Sequence, residues 1–219
     1  MGLIDVCYLD EAGFSMTLPP CRSWFPEGER LEVADEAPQG RRVTAIGAHF
    51  THGPEVGRFE HQSWASLPKS RAKKQRKTPE QLAAAHGLKP AEVGAITSER
   101  LLAFVWRIAG WPEGAEDWVR ARELKVVLDT YSVHTSEVVE RAVPALKRAG
   151  LEVVYLPSYS PELSRIEPDW NDLKQHHLPK RSYEAVAELK RAVDEGLSRK
   201  ADLLRQAQAQ TTNVGRLDT

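Results

Sequence analysis

Three carboxylates stand where a sheet could bring them together. Asp10 in DVCYLDEAGF and Asp129 in LKVVLDTYSVH each close an apolar, strand-like run at the point where the chain is expected to turn away. Glu167, in LPSYSPELSRIEPDWNDLK, sits on a short helix directly after another apolar run. Hard oxygen donors of this kind suit divalent cations. Phosphodiester cleavage with two such ions needs several carboxylate oxygens converging on metals roughly 3.5 to 4 Å apart, one activating the nucleophile and one stabilising the leaving oxygen. Acids from two strand ends and one helix meet that need on a rigid sheet.

Each acid also has an ordinary structural reading. Ser164-Arg165-Ile166-Glu167 has the spacing of a capping box, in which Ser164 caps the helix and the glutamate satisfies a backbone N–H. An Asp after a strand, as at 129, is commonly a turn former. Asp10 is followed by Glu11, and on spacing alone either can point into a site, since strand alternation puts the two on opposite faces. His134, five residues after Asp129, reads as a local cap or surface residue at a helix start, with contact to substrate or an attacking water as the alternative. His176 and His177 with Lys180 and Arg181 read as a solvated helix end or a phosphate contact. Trp170, on the same helix as Glu167, reads as the packing anchor of that helix.

The elements that would position these residues follow from periodicity. Leu3–Leu9, Arg22–Phe25 and Arg42–Phe50 read as strands, with Pro-Glu-Gly at 26–28 and Pro-Gln-Gly at 38–40 as turns, and Gly57–Trp64 as an edge strand. This is an antiparallel opening. Ser98–Ala109 carries apolar residues at 101, 102, 104, 105 and 108, a helical stripe. Leu124–Leu128 is a continuous apolar strand, Thr135–Ala149 a helix and Leu151–Leu156 a further apolar strand, a βαβ order that implies parallel pairing and a right-handed crossover. Antiparallel strands followed by βαβα is the order of a ribonuclease H-like fold, an α/β fold with a mixed five-stranded sheet flanked by helices. Residues 65–96 read as an insertion. It opens on a basic run, and TPEQLAAAHGLKPAEVGAI then offers two short helices parted at Gly87, either a helix-turn-helix or a helical hairpin packed on the sheet or mediating contacts between chains.

The chain has 219 residues, 41% hydrophobic and 28% charged, enough for one sizeable core. Its net charge of −1 argues against strong unaided DNA binding, because nonspecific affinity comes mostly from Lys and Arg neutralising phosphates. The distribution argues otherwise at one place: Lys69, Arg71, Lys73, Lys74, Arg76 and Lys77 crowd six basic residues into nine, a candidate DNA-binding run. Cys7 and Cys21 have no CxxC spacing, so neither a zinc site nor a disulfide framework is indicated, and a reduced compartment fits. No apolar run approaches the ~18 residues of a membrane span and no signal peptide is read.

At the three acid blocks the sequence resembles the catalytic domain of the mariner-like DDE transposases, in the branch found in bacterial insertion sequences. YLDEAGFSMTLPPCRSWFPEGE is similar to the first-acid block, VVLDTYSVH to the second and LPSYSPELSRIEPDWNDLK to the third. The resemblance implies Asp10, Asp129 and Glu167 as catalytic acids and metal ligands. It also implies two Mg²⁺ ions with Mn²⁺ as a substitute, transposon-end and target DNA as partners, a homodimer or higher assembly on DNA, and a bacterial cytoplasmic, nucleoid-associated location. The implied activity is metal-dependent strand cleavage at a transposon end followed by strand transfer. Two departures stand out. Asp129-Thr130 replaces the usual Asp-Asn, and Leu163-Ser164-Arg165-Ile166-Glu167 replaces Leu-Asn-Pro-Ile-Glu; neither removes a carboxylate. The chain begins a few residues before the first acid strand, so the family's N-terminal helix-turn-helix modules are expected to be absent. The acids alone leave open a nuclease of the same fold that does not join strands, and a non-catalytic or domesticated DNA-binding or assembly protein.

Overall fold

Strands β1 (Ile4–Ser15), β2 (Arg42–His52) and β3 (Phe59–Ser66) pair antiparallel in a computed structural model that describes residues 4–17, 42–66, 78–158 and 160–217. Strands β4 (Glu123–Leu128) and β5 (Leu151–Tyr155) extend the sheet on the other side of β1 in parallel register, giving the order β3-β2-β1-β4-β5. Helix α3 (Glu137–Arg148) makes the crossover from β4 to β5, as expected for a βαβ unit. The expected edge strand is β3. The expected strand at Arg22–Phe25 lies outside the described residues.

Helices cover both faces of the sheet. On one, Cys7 and Leu9 of β1 and the apolar run of β4 pack against α2 (Ser98–Ala109) and α3, through Leu101, Phe104, Ile108, Val139 and Leu146. The stripe of α2 falls where 3.6-residue periodicity places it, Thr97 caps its start, and Gly110 ends it at a φ of 83°, a left-handed conformation suited to glycine. On the other face, Ala12, Phe14 and Met16 of β1 pack against α4 (Glu167–Asp172) and α5 (Val186–Leu217), through Ile166, Trp170, Leu189, Val193 and Leu197. The buried set of β1 therefore changes face midway, from odd to even positions, and Asp10 and Glu11 lie at the change.

One expectation needs correction here. β1 does not end at Asp10 but runs on to Ser15, because its antiparallel ladder with β2 continues to the Ser15–Arg42 pair. The parallel ladder with β4 stops earlier, at Tyr8–Val127. Carrying that register forward by two residues sets Asp10 opposite Asp129, just past the end of β4. The sheet opens at the acids although only one of the two strands stops.

The helix-turn-helix reading of the 65–96 stretch is also corrected. Helix α1 (Pro79–Ala85) is present, with Thr78 and Gln81 in a capping box, but after Gly87 the chain makes only a three-residue 3₁₀ turn, Pro90–Glu92. A turn of that length cannot serve as a recognition helix. Pro90 occupies the first position of the turn, where its fixed φ suits the geometry and its missing N–H costs nothing. The segment packs on the sheet: Ala65 and Val93 form a bridge, the Gly94 N–H donates to the Ala65 carbonyl, and Lys190 of α5 pairs with Glu92 at 3.4 Å. The basic run 69–77 lies outside the described residues. Among the described residues no helix is long and apolar enough to cross a membrane.

Candidate active site

The wall of one cavity, about 440 Å³ in volume, brings together Asp10, Asp129 and Glu167 with the hydroxyl-bearing residues Thr130, Ser158, Ser160 and Ser164 and with Tyr131. Leu9, Leu156 and Pro157 supply its apolar part. Each acid arrives on a different element: Asp10 on β1, Asp129 just past β4, and Glu167 as the first residue of α4. The two strands are parallel neighbours in the interior of the sheet, so their acids lie side by side where β4 ends, and α4, packed on one face, must bring Glu167 to that point.

Trp170 fixes that placement. It is buried, stands edge-on to Phe59 with ring centroids 6.1 Å apart, and rests on Gly47, the β2 partner of Asp10. A Cβ at Gly47 would lie 2.7 Å from the indole Cη2, so the absent side chain is what lets the ring approach the backbone. The expected anchoring role of Trp170 is thus present, one helical turn after Glu167. Gly47→Val should displace the indole and destabilise the fold by about 1–3 kcal/mol, the usual cost of overpacking a filled site. It should also lower any cleavage activity, since Glu167 shares the helix; urea unfolding and indole emission check the first part, and wild-type values for both would contradict it.

A second anchor is polar. Asp169, buried on α4, is hydrogen-bonded to His49 Nδ1 at 2.6 Å and paired with Lys200 of α5 at 3.0 Å. Lys200 also reaches Asp172 at 2.8 Å, and Asp172 meets His177 Nε2 at 3.0 Å. His177 is therefore tied into the end of the helix, where Leu173–His177 continues α4 as a single π turn. Arg181 lies over the ring of Tyr183, with 4.9 Å from its Cζ to the ring centroid. His176 and Lys180 are exposed.

The capping-box reading of Glu167 does not hold. Ile166, not Ser164, occupies the cap position, α4 starts without a side-chain cap, and Ser164 lines the cavity. The extra 3₁₀ turn at Pro161–Leu163 moves the helix start later than the Ser-x-x-Glu spacing suggests. The Glu167 side chain is exposed and makes no hydrogen bond among the described residues.

Asp10 and Glu11 point to opposite faces, as alternation requires. Glu11 is taken up by His134, whose Nε2 lies 2.9 Å from Glu11 Oε1 and whose Nδ1 lies 2.6 Å from Asp129 Oδ1. The expectation of a surface or capping histidine is corrected: His134 is fully buried. Both of its partners are carboxylates, which accept but do not donate when ionised, so both ring nitrogens donate and the ring is an imidazolium. Burial works against that charge, but the Glu11 hydrogen bond and charge and the Asp129 charge outweigh it, and the pKa is raised to about 9. Asp129 Oδ1 also accepts the Tyr131 N–H at 3.0 Å. Its second oxygen has no hydrogen bond among the described residues, leaving it available to the cavity. Glu11, marked in the sequence only by its place next to Asp10, is the member of this network left out of the expected site.

Asp10 carries the electrostatic signature of a crowded anionic site. Burial is the main cause that raises its pKa, to about 7; a backbone hydrogen bond from Glu11 opposes this, and the charges of Glu11, Glu167 and Asp129 reinforce it. A carboxyl so placed favours its protonated form until a cation arrives. All-oxygen donors and mutual repulsion fit hard divalent ions. Among the described residues no three carboxylate, imidazole or thiol groups are drawn tightly enough to hold an ion as they stand. Asp129 is held by His134 and the Tyr131 N–H, whereas the exposed Glu167 side chain, with no hydrogen bond among the described residues, is the one with room to turn toward the other two. Because the raised Asp10 pKa favours the fold below about pH 4 and that contribution fades as pH rises through about 7, Mg²⁺ or Mn²⁺ should stabilise the protein more at pH 8 than at pH 5. Thermal unfolding with and without the ion at both pH values checks this; an equal shift at both would contradict it.

A mixed five-stranded sheet in this order, with three acids lining one cavity, defines a ribonuclease H-like fold with an acidic site. Residues 73–190 match the DDE superfamily endonuclease family, and the chain belongs to it. The match contains Asp129 and Glu167; Asp10 lies before it and joins the site through the β1–β4 register. Similar solved structures include a Mos1 transposase paired-end complex with the left transposon end and a Mos1 mariner paired-end complex with Mn. Each has TM-score 0.51 and 16% identity, over 92% of this chain and 52% of that one. A pre-cleavage Mos1 transpososome gives TM-score 0.50 and 14% identity, over 94% of this chain and 55% of that one. The chain spans about half the length of these Mos1 chains. No match to the curated proteins was found.

Proposed function

We propose that this chain is the catalytic domain of a DDE transposase of the bacterial insertion-sequence branch, cleaving DNA at element ends and joining the freed 3′ end to target DNA. The observation that carries the reading is the convergence of Asp10, Asp129 and Glu167, from three separate elements, on one cavity wall. Asp10 and Asp129 would hold a shared ion and Glu167 a second, Mg²⁺ or in its place Mn²⁺. Bound there, the ions would supply Lewis-acid activation of the attacking oxygen and charge neutralisation at the phosphate. The protein's own contribution is orientation. His134 fixes one oxygen of Asp129, Trp170 on Gly47 fixes the helix that carries Glu167, and the half-buried Asp10 is held in the sheet.

DNA is the proposed partner, with assembly as a homodimer or higher form on it. The run Lys69, Arg71, Lys73, Lys74, Arg76 and Lys77 is proposed to meet phosphates. Neutralising Lys73, Lys74, Arg76 and Lys77 together should weaken DNA binding and flatten its dependence on salt by up to about four charges' worth of slope. A salt titration of the quadruple variant returning the wild-type slope would remove the run from the interface.

The reading is tested by incubating the protein with Mn²⁺ and two substrates, an uncut duplex and one bearing a precut 3′ end. Nicking of the first and joining of the second are expected. Nicking without joining would reduce the chain to a nuclease, and neither reaction would leave a non-catalytic protein of the same fold.

A further inference from the structure

Tyr131 is the one aromatic residue among the described residues of the acid-cavity wall, and its hydroxyl has no structural duty among them. It is 57% exposed, and its hydroxyl makes no hydrogen bond among the described residues. Tyr155 nearby differs: its hydroxyl donates to the His134 carbonyl at 2.9 Å. The backbone of Tyr131 is nevertheless held firmly. Its N–H donates to Asp129 Oδ1 at 3.0 Å, and its carbonyl accepts from the His134 N–H at 2.9 Å and the Thr135 N–H at 3.2 Å. The ring meets the buried His134 imidazole at 80°, with centroids 5.9 Å apart. An aromatic ring left in water on so rigid a mount is preorganised to receive a flat partner.

We infer that Tyr131 stacks on a nucleobase of the strand whose phosphodiester is held at Asp10, Asp129 and Glu167. The inference rests on the DNA-cleaving reading of that site. Tyr131 follows Asp129 with only Thr130 between them, so a nucleotide placed with its phosphate at the acids has its own or its neighbour's base within reach of the ring. The chemistry favours stacking over charge. The cavity wall is acidic, and its remaining polar groups are hydroxyls, with Thr130 and Ser158 3.2 Å apart, so an aromatic face gives affinity for the strand without adding a cation. Stacking of this kind tolerates any base, because every base offers a π face. It also releases no counterions, so its contribution does not vary with salt as phosphate contacts do.

The test uses the full chain carrying Glu167→Gln, which limits cleavage, with Mn²⁺ and fluorescein-labelled single-stranded oligonucleotides, intact or with one abasic position moved along the strand. Tyr131→Ala should weaken binding of the intact strand by roughly 5- to 150-fold with an unchanged salt slope, while Tyr131→Phe and Tyr131→Trp bind as the parent does. At one position the abasic strand should lose affinity with Tyr131 present and lose no more with Ala in its place. Parent-like affinity in Tyr131→Ala, or an abasic penalty that ignores residue 131, overturns the stacking. Wild-type nicking measured alongside separates the two readings: if nicking occurs and the coupling does not, only the stacking fails, whereas absence of both nicking and strand binding removes the DNA-cleaving reading as well.

Discussion

Glu167→Gln should leave the fold intact and lower Mn²⁺-dependent cleavage by about 100-fold or more. The side chain is exposed and makes no hydrogen bond among the described residues, and no cap depends on it, so unfolding free energy should change by no more than about 1 kcal/mol, the scale of a carboxylate acting on a helix N-terminus. Glutamine keeps the shape and loses the anionic oxygen. Because no capping box forms, Glu167→Ala should be similarly harmless to stability, which a genuine cap would not allow. Thermal unfolding and nicking measured on both variants decide the matter. A variant that unfolds early yet cuts normally would return Glu167 to a structural role.

His134→Gln should cost both stability and activity. In the wild type a buried imidazolium separates Glu11 from Asp129, and neutral glutamine leaves the two carboxylates facing each other across a polar gap. Glu11 is largely buried but Asp129 is exposed, so solvent screens part of the loss and the cost is on the order of 1–3 kcal/mol. Asp129 also loses the group that orients it, and such supporting contacts commonly account for roughly 10- to 100-fold in metal affinity or activity. The pH dependence gives a second readout. A folded-state pKa raised to about 9 means that the histidine's stabilisation is complete below about pH 6.5 and is lost as pH rises through 9. Wild-type stability should therefore fall across that window and His134→Gln stability should fall less. Parallel profiles for the two proteins would sink the imidazolium assignment.

Much of this architecture is legible in the sequence because it rests on short-range signals. The stripe of α2 and the apolar runs of β4 and β5 sit within a residue or two of where periodicity puts them, and the apolar runs that precede Asp10 and Asp129 mark both strands. What sequence reading misses depends on pairing between distant segments. The end of β1 is set by β2, which holds it in a ladder five residues past Asp10. The start of α4 is set by an intervening 3₁₀ turn and by Trp170 on Gly47, so a local Ser-x-x-Glu pattern misleads. Glu11 gains its role only because His134 reaches it from 123 residues away. Tyr131 carries no sequence signal distinguishing a working exposed ring from an idle one.

The most direct test is a crystal grown with Mn²⁺ and measured at the manganese edge. A shared metal site predicts an anomalous peak bounded by the carboxylates of Asp10, Asp129 and Glu167, lost or reduced in Glu167→Gln. Manganese bound only elsewhere, with those three side chains turned apart, would contradict it.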